Sequence, residues 1–191
     1  MPEPSRSFFL SVSSRDRIGI VHQVSSAISE LGGDIADLRQ SVLRGHFAMI
    51  LLASFPPAIT QQAIEQRLQA LNVAGVPPLQ VSILPADDAP AAAAEQTLEN
   101  AYVLTASGKD RIGFVATVSA FCARNGINIL DLSTAVADDA YTMILLVDLA
   151  HCPVDVGELR HKLDRFQRET GLQVVLQHYA ILEATNEVSI L

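Results

Sequence analysis

The sequence predicts an α+β fold made of two ferredoxin-like βαββαβ units, each with a four-stranded antiparallel sheet and both helices on one face. Three observations carry this. Slid against itself, the 191-residue chain matches without gaps at a constant offset of 94, positions 8–52 against 102–146, with 18 identities in 45 positions, where about three would arise by chance. Each copy then shows the same succession of β-prone apolar runs and helical spacings. Between the copies, Pro85-Ala86-Asp87-Asp88-Ala89-Pro90 and Ala91–Ala94 carry prolines, acids and small residues with no apolar period, which is the composition of a linker. The expected organisation is a first domain at 1–85, a linker at 86–99 and a second domain at 100–191.

The elements follow in order. Phe8–Ser13 and Tyr102–Ser107 are short apolar runs that end at a turn, the first strands. Val21, Val24, Ile28 and Leu31 recur at spacings of three and four, one face of a helix, and Val115, Val118 and Cys122 repeat it. Gly32-Gly33 and Asn125-Gly126 end these helices. Ile35–Leu43 and Phe47–Ala53 flank a short polar turn, Arg44-Gly45-His46, and so form a hairpin; Ile129–Val136 and Tyr141–Leu149 do the same around Ala137-Asp138-Asp139-Ala140. Second helices are expected over Thr60–Leu71 and Val156–Thr170, and final strands over Leu79–Leu84 and Leu172–Glu183. Right-handed crossovers in this order place both helices on one sheet face and leave the other needing cover or a partner.

Composition narrows the function. The chain is 49% apolar and 18% charged, which belongs with globular proteins. Its formal charge is −8, with 13 Lys and Arg scattered along it, so no concentrated cationic footprint exists for nucleic-acid phosphates or an anionic membrane. No apolar run reaches membrane-spanning length and the N-terminus lacks a signal pattern, so a cytoplasmic location is expected. Cys122 and Cys152 are thirty positions apart, and Cys122 falls on the inward face of a helix, as a core thiol does.

The chemistry concentrates at the junction after each first strand, Asp16-Arg17-Ile18-Gly19 and Asp110-Arg111-Ile112-Gly113. A helix N-terminus presents free N–H groups and a positive dipole end, so such a turn can hold a carboxylate. A second reading stands beside this one: Asp16 and Asp110 as helix caps, with Arg17 and Arg111 in solvent. Asp34-Ile35 and Asn128-Ile129 open the second strands and are expected to face the same junction. Asn offers donor and acceptor together, whereas Asp favours an ammonium group, so the two copies are not equivalent. Asp37 and Asp131 follow as exposed strand acids or as extra carboxylates for the site. Esterase, nucleotide-binding and zinc-protease motifs are missing, and the five histidines show no metal-ligand spacing. No catalytic residue, metal or cofactor is expected, and the chain is read as a non-enzyme.

The repeat, the Asp-Arg-Ile-Gly turn before an amphipathic helix, and Gly-Ile-Asn-Ile-Leu-Asp at 126–131 together resemble the ACT domain pattern of strand, D-R-P-G turn, helix and G-x-N-I. The likeness covers nearly the whole chain apart from linker and tail, and the two-copy layout is most similar to the glycine cleavage system transcriptional repressor group. Ile18 and Ile112 stand where that pattern often has proline, and Asp34 where it has Asn. The resemblance implies an amino acid bound at interfaces between ACT units, glycine or serine first, with the backbone of Asp110–Gly113 receiving its carboxylate and Asn128 holding its amino or carboxylate group. It further implies a regulator of amino-acid metabolism genes that acts through a protein partner such as a DNA-binding regulator. A detached regulatory subunit of a metabolic enzyme and a ligand-free scaffold remain alternatives, and a homodimer is open.

Overall fold

The structure is a computed structural model in which residues 5–86, 100–137 and 140–180 are described. The chain divides into two compact units, Met1–Ala94 and Glu95–Leu191. The first contains β1 (Arg6–Arg15), α1 (Ile20–Glu30), β2 (Asp34–Leu43), β3 (His46–Phe55), α2 (Gln61–Gln69) and β4 (Gln80–Pro85). The second contains β5 (Ala101–Lys109), α3 (Phe114–Arg124), β6 (Asn128–Ala137), β7 (Ala140–Asp148), α4 (Val156–Thr170) and β8 (Gln173–His178). Strand orders are β2-β3-β1-β4 and β6-β7-β5-β8, with every adjacent pair antiparallel. Both units therefore have the expected ferredoxin-like topology. The expected linker falls on residues that, apart from Ala86, lie outside those described.

Alternation builds each core. In β1 Phe8, Leu10 and Val12 are buried, and in β3 Phe47, Met49, Leu51, Ala53 and Phe55 join them. Val24 and Ile28 of α1 and Ile64 and Leu68 of α2 close over this face in one cluster. In the second unit Leu104, Met143, Leu145 and Val147 meet Val118 and Phe121 of α3 and Leu159 and Phe166 of α4. On the opposite face of the first sheet Phe9, Ile50 and Leu84 are exposed.

One helix phase differs from the expectation. The buried stripe of α1 starts at Ile20 and that of α3 at Phe114, while Val21 and Val115 are exposed. Successive helical residues lie about 100° apart. The left-handed glycines before the helices turn Ile20 and Phe114 onto the sheet, and their neighbours outward.

Turn chemistry matches the sequence closely. Gly32 (φ 72°) and Gly126 (φ 65°) take left-handed backbone after α1 and α3. The N–H groups of Gly33 and Ile127 then bond the carbonyls of Ile28 and Cys122 at 2.9 and 3.0 Å, the Schellman arrangement. Arg44 (φ 49°) and Gly45 (φ 77°) form the first hairpin turn, with Leu43 and His46 paired beside it. Two successive positive φ angles give the twist a two-residue hairpin needs. Residues 138 and 139 of the second turn lie outside the described residues. Thr60 and Asp155 cap α2 and α4, accepting from Ala63 and Glu158 N–H. The last strand is shorter than expected: β8 stops at His178, residues 179 and 180 are helical, and 181–183 lie outside the described residues.

Two glycines separate backbone strain from crowding. At Gly19 (φ 93°) a Cβ would meet nothing within 4 Å, whereas at Gly126 it would lie 2.5 Å from the His151 carbonyl oxygen. Gly19→Ala is expected to cost about 1–2 kcal/mol, the left-handed penalty alone. Gly126→Ala adds overpacking to the same penalty and is expected to cost about 2–5 kcal/mol. Urea denaturation checks both, and equal losses would contradict the close-contact account.

Candidate functional site

Each junction is a four-residue loop between the central strand and the first helix. In the first unit the Asp16 N–H donates to the Gly45 carbonyl at 2.9 Å, which ties the loop to the hairpin turn. The N-cap is Gly19 (φ 93°), and the helical ladder begins with Gln23 N–H to Gly19 O at 2.9 Å. In the second unit Gly113 (φ 86°) occupies the same place, and its carbonyl accepts from both Thr117 N–H and Thr117 Oγ1 at 2.8 Å. Neither helix has a side-chain cap. The capping reading of Asp16 and Asp110 is thereby corrected: the left-handed glycine takes the cap position and leaves each acid three residues upstream, exposed. Ile18 and Ile112, at the loop tips, are fully exposed.

The two arginines behave differently. Arg111 is exposed, as the solvent reading has it. Arg17 is half-buried: its Nη2 donates to Gln23 Oε1 at 2.9 Å, and its buried Nε has no hydrogen-bond partner. The position equivalent to Gln23 is Thr117, whose hydroxyl is engaged by the backbone.

Register corrects a second expectation. Asp34 pairs with Ser54, which pairs with Ser7 at the start of β1, whereas the junction follows Arg15, paired with His46 at the other end. Asn128 likewise sits opposite Asp148 and, through it, Ala101, while the second junction follows Lys109, paired with Ala140. Both β1 and β2 run antiparallel to β3, so they are parallel to each other and β2 begins where β1 begins. Eight strand residues separate the two places, about 26 Å. Within one unit, Asp34 and Ile35 do not face the Asp16–Gly19 junction, nor Asn128 and Ile129 the Asp110–Gly113 junction.

The acids on the second strands have a structural task. The register slips between Ile35 and Asp37 and between Ile129 and Asp131, a β-bulge in the same place in both copies. The Oδ1 of Asp37 accepts from Leu38 N–H, and that of Asp131 from Leu132 N–H, each at 2.8 Å. Both side chains are exposed.

Two clefts in the second unit gather most of the expected residues there. One, of about 460 Å³, is lined by Arg111, Gly113, Phe114, Val115, Ala116 and Tyr141. The other, of about 500 Å³, includes Ala116, Ser119, Ala120, Ala123, Asn128 and Ile129. Asp110 and Ile112 line neither. Tyr141 and Ser119 were missed in the sequence reading; the signal for Tyr141 was its replacement of Phe47 at the repeat offset. In the first unit a cleft of about 510 Å³ involves Arg6, Ser7, Thr60 and Gln61, and none of the expected residues lines it.

Cys122, 1% exposed, lies at the floor of this region, and burial pushes its thiol from 9.0 up to about 11. The thiolate is the reactive form, so this thiol behaves as core. Among the described residues no group of three or more His, Cys, Asp and Glu could hold a metal ion, and no helix is long and apolar enough to cross a membrane. Because the folded state retains the Cys122 proton to higher pH, its stabilising effect is complete below pH 9 and is lost as pH rises toward about 11. The loss is on the order of 2 kcal/mol. Urea midpoints measured below pH 9 and near pH 11 should fall less in Cys122→Ala than in the unaltered chain; equal falls would remove Cys122 as the cause.

The architecture defines a class: a tandem pair of ferredoxin-like units, each opening an uncapped helix from a glycine-ended loop. The ACT domain model matches residues 7–74 and 100–177. This chain belongs to the ACT domain family. UPF0237 proteins of Methanocaldococcus jannaschii and Methanopyrus kandleri are 37% and 40% identical over 86 residues, 45% of this chain and 96% of each of theirs. Among solved structures, a Galdieria sulphuraria protein of unknown function has a TM-score of 0.70 and 28% identity over 91% of this chain and 98% of its own. A candidate glycine cleavage system transcriptional repressor has a TM-score of 0.68 and 17% identity over 91% of this chain and 96% of its own, a likeness of fold.

Proposed function

We propose that this chain is a non-catalytic, amino-acid-responsive regulator that acts in the cytoplasm on genes of amino-acid metabolism through a protein partner. The observation that carries the reading is the second unit's junction, where exposed Arg111 and left-handed Gly113 line a cleft at the uncapped start of α3. A cation and the positive end of a helix dipole suit a carboxylate. Asn128, in the neighbouring cleft along α3, supplies the donor and acceptor pair that suits an amino acid's polar end. The net charge of −8 directs the output to a protein and not to DNA. A ligand regulates only by binding one partner-competent state better than another.

Calorimetric titration of the full chain with glycine, serine and the other common amino acids tests this. At least one is expected to bind in the micromolar to low millimolar range; silence across the panel would sink the reading. Asn128→Ala, run beside it, separates the clefts. Weaker binding places the ligand along α3 and β6, and unchanged binding places it at the junction.

A further inference from the structure

The face of the first sheet turned away from its helices carries an unusual set of side chains. From Ser7 to Ser13 on β1, Ala48 to Ser54 on β3 and Gln80 to Leu84 on β4, every second residue belongs to that face. These residues are Ser, Ala, Gln, Phe, Ile or Leu, and none of them is ionisable. Register sets Phe9 opposite Leu84 and Ser11 opposite Ile50, so Phe9, Ile50 and Leu84 form one patch; they are 44%, 50% and 63% exposed. Directly opposite and diagonal neighbours on paired strands are close enough to act together. Charge returns at the rim, with Asp37 and Arg39 of β2 opposite Leu52 and Ile50, and Arg15 opposite His46 where the central strand ends. An apolar centre inside a polar rim is the anatomy of a protein interface.

The second sheet has a different face. Val103 stands where Phe9 does and is 7% exposed, Gln177 takes the place of Leu84, and Asp148 adds a carboxylate opposite Ala101.

The rest of the chain decides what fits the first face. The formal charge is −8, so two copies repel one another over most approaches. An uncharged face is where like-charged copies meet at least electrostatic cost, and an apolar patch is complementary to itself about a two-fold axis. Three of the four strands have ten residues. With a rise of about 3.4 Å per residue and a spacing of about 4.8 Å, the face covers roughly 600 Å². Two copies together bury about 1,200 Å², the lower bound for a specific interface.

We infer that the chain forms a homodimer through this face, sheet on sheet, with Phe9, Ile50 and Leu84 of each copy as the apolar anchors. Packed sheets lie about 10 Å apart, a gap that Phe, Ile and Leu side chains fill while the surrounding serines leave room for them. An interface of this size holds a reversible dimer, with a dissociation constant of about micromolar order.

Sedimentation equilibrium of the full chain, without ligand, tests this. The unaltered chain is expected to move from one chain mass to two as its concentration rises through the micromolar range. Ile50→Glu and Leu84→Glu should each weaken dimerisation tenfold or more, because each buries a carboxylate in the contact. Val175→Glu, at a 53% exposed position on the second sheet, should stay within twofold. Ile50 and Leu84 are both exposed, and an unchanged thermal midpoint will show that a variant is folded; where one fails that check, the other decides. An equimolar mixture of Ile50→Glu and Ile50→Lys should dimerise more tightly than either alone, as it does when one face meets itself. Added salt should strengthen the dimer by screening the repulsion between copies. A monomer at every concentration would overturn the inference, as would a dimer indifferent to both variants, one weakened by Val175→Glu, or one loosened by salt. No ligand enters the measurement, so the amino-acid reading stands or falls apart from it.

Discussion

Leu10 and Leu104 are wholly buried because the strands carrying them are bonded on both edges, β1 by β3 and β4, and β5 by β7 and β8. That central position is the constraint on which the rest of each unit depends. It fixes which side chains meet the helices, because a slip of one residue would turn the whole apolar set to the open face. It also fixes the end of the sheet to which each loop belongs. The junction must lie where the central strand stops, and the second strand must begin where the central strand began. The helix that joins them, α1 or α3, runs the length of the sheet between the two places.

Function inherits this geometry. A unit that presents a cation at one end of its sheet and an amide at the other cannot close both around one small molecule. What α3 provides is a continuous run of small residues, Ala116, Ser119, Ala120 and Ala123, along which two clefts meet at Ala116. Small side chains leave the surface concave where larger ones would fill it. The equivalent run on α1 is His22, Ser25, Ser26 and Ser29, more polar, with the His22 ring within 3.4 Å of Ser26 Oγ.

Duplication kept what folding requires and released the rest. The left-handed glycines at 19 and 113, the helix-ending glycines at 32 and 126, and the bulge with its acid at 37 and 131 recur in both copies, each tied to a backbone conformation or to a backbone N–H. The differences fall on side chains free of that duty: Gln23 against Thr117, Phe47 against Tyr141, Asp34 against Asn128. Holding Arg17 against α1 leaves its buried Nε without a partner, a cost of about 1–3 kcal/mol that the surrounding fold offsets.

The sequence by itself determined the two-copy organisation, the order of twelve elements, the core strands and the turn glycines, because these rest on periodicity and on backbone preferences that each short segment expresses alone. It also marked the junctions and Asn128 as chemically unusual. Only the tertiary structure decided where those residues stand. Whether Asn128 is beside Asp110 or about 26 Å away depends on strand pairing, and pairing joins residues far apart in the chain. The same holds for Val21 facing outward, which follows from the φ of Gly19, and for Arg17 bonding Gln23 across a turn of helix. Tyr141 reaches the Arg111 cleft because β7 pairs with β5 and sets Tyr141 opposite Gly108, and no local pattern of residues encodes that contact.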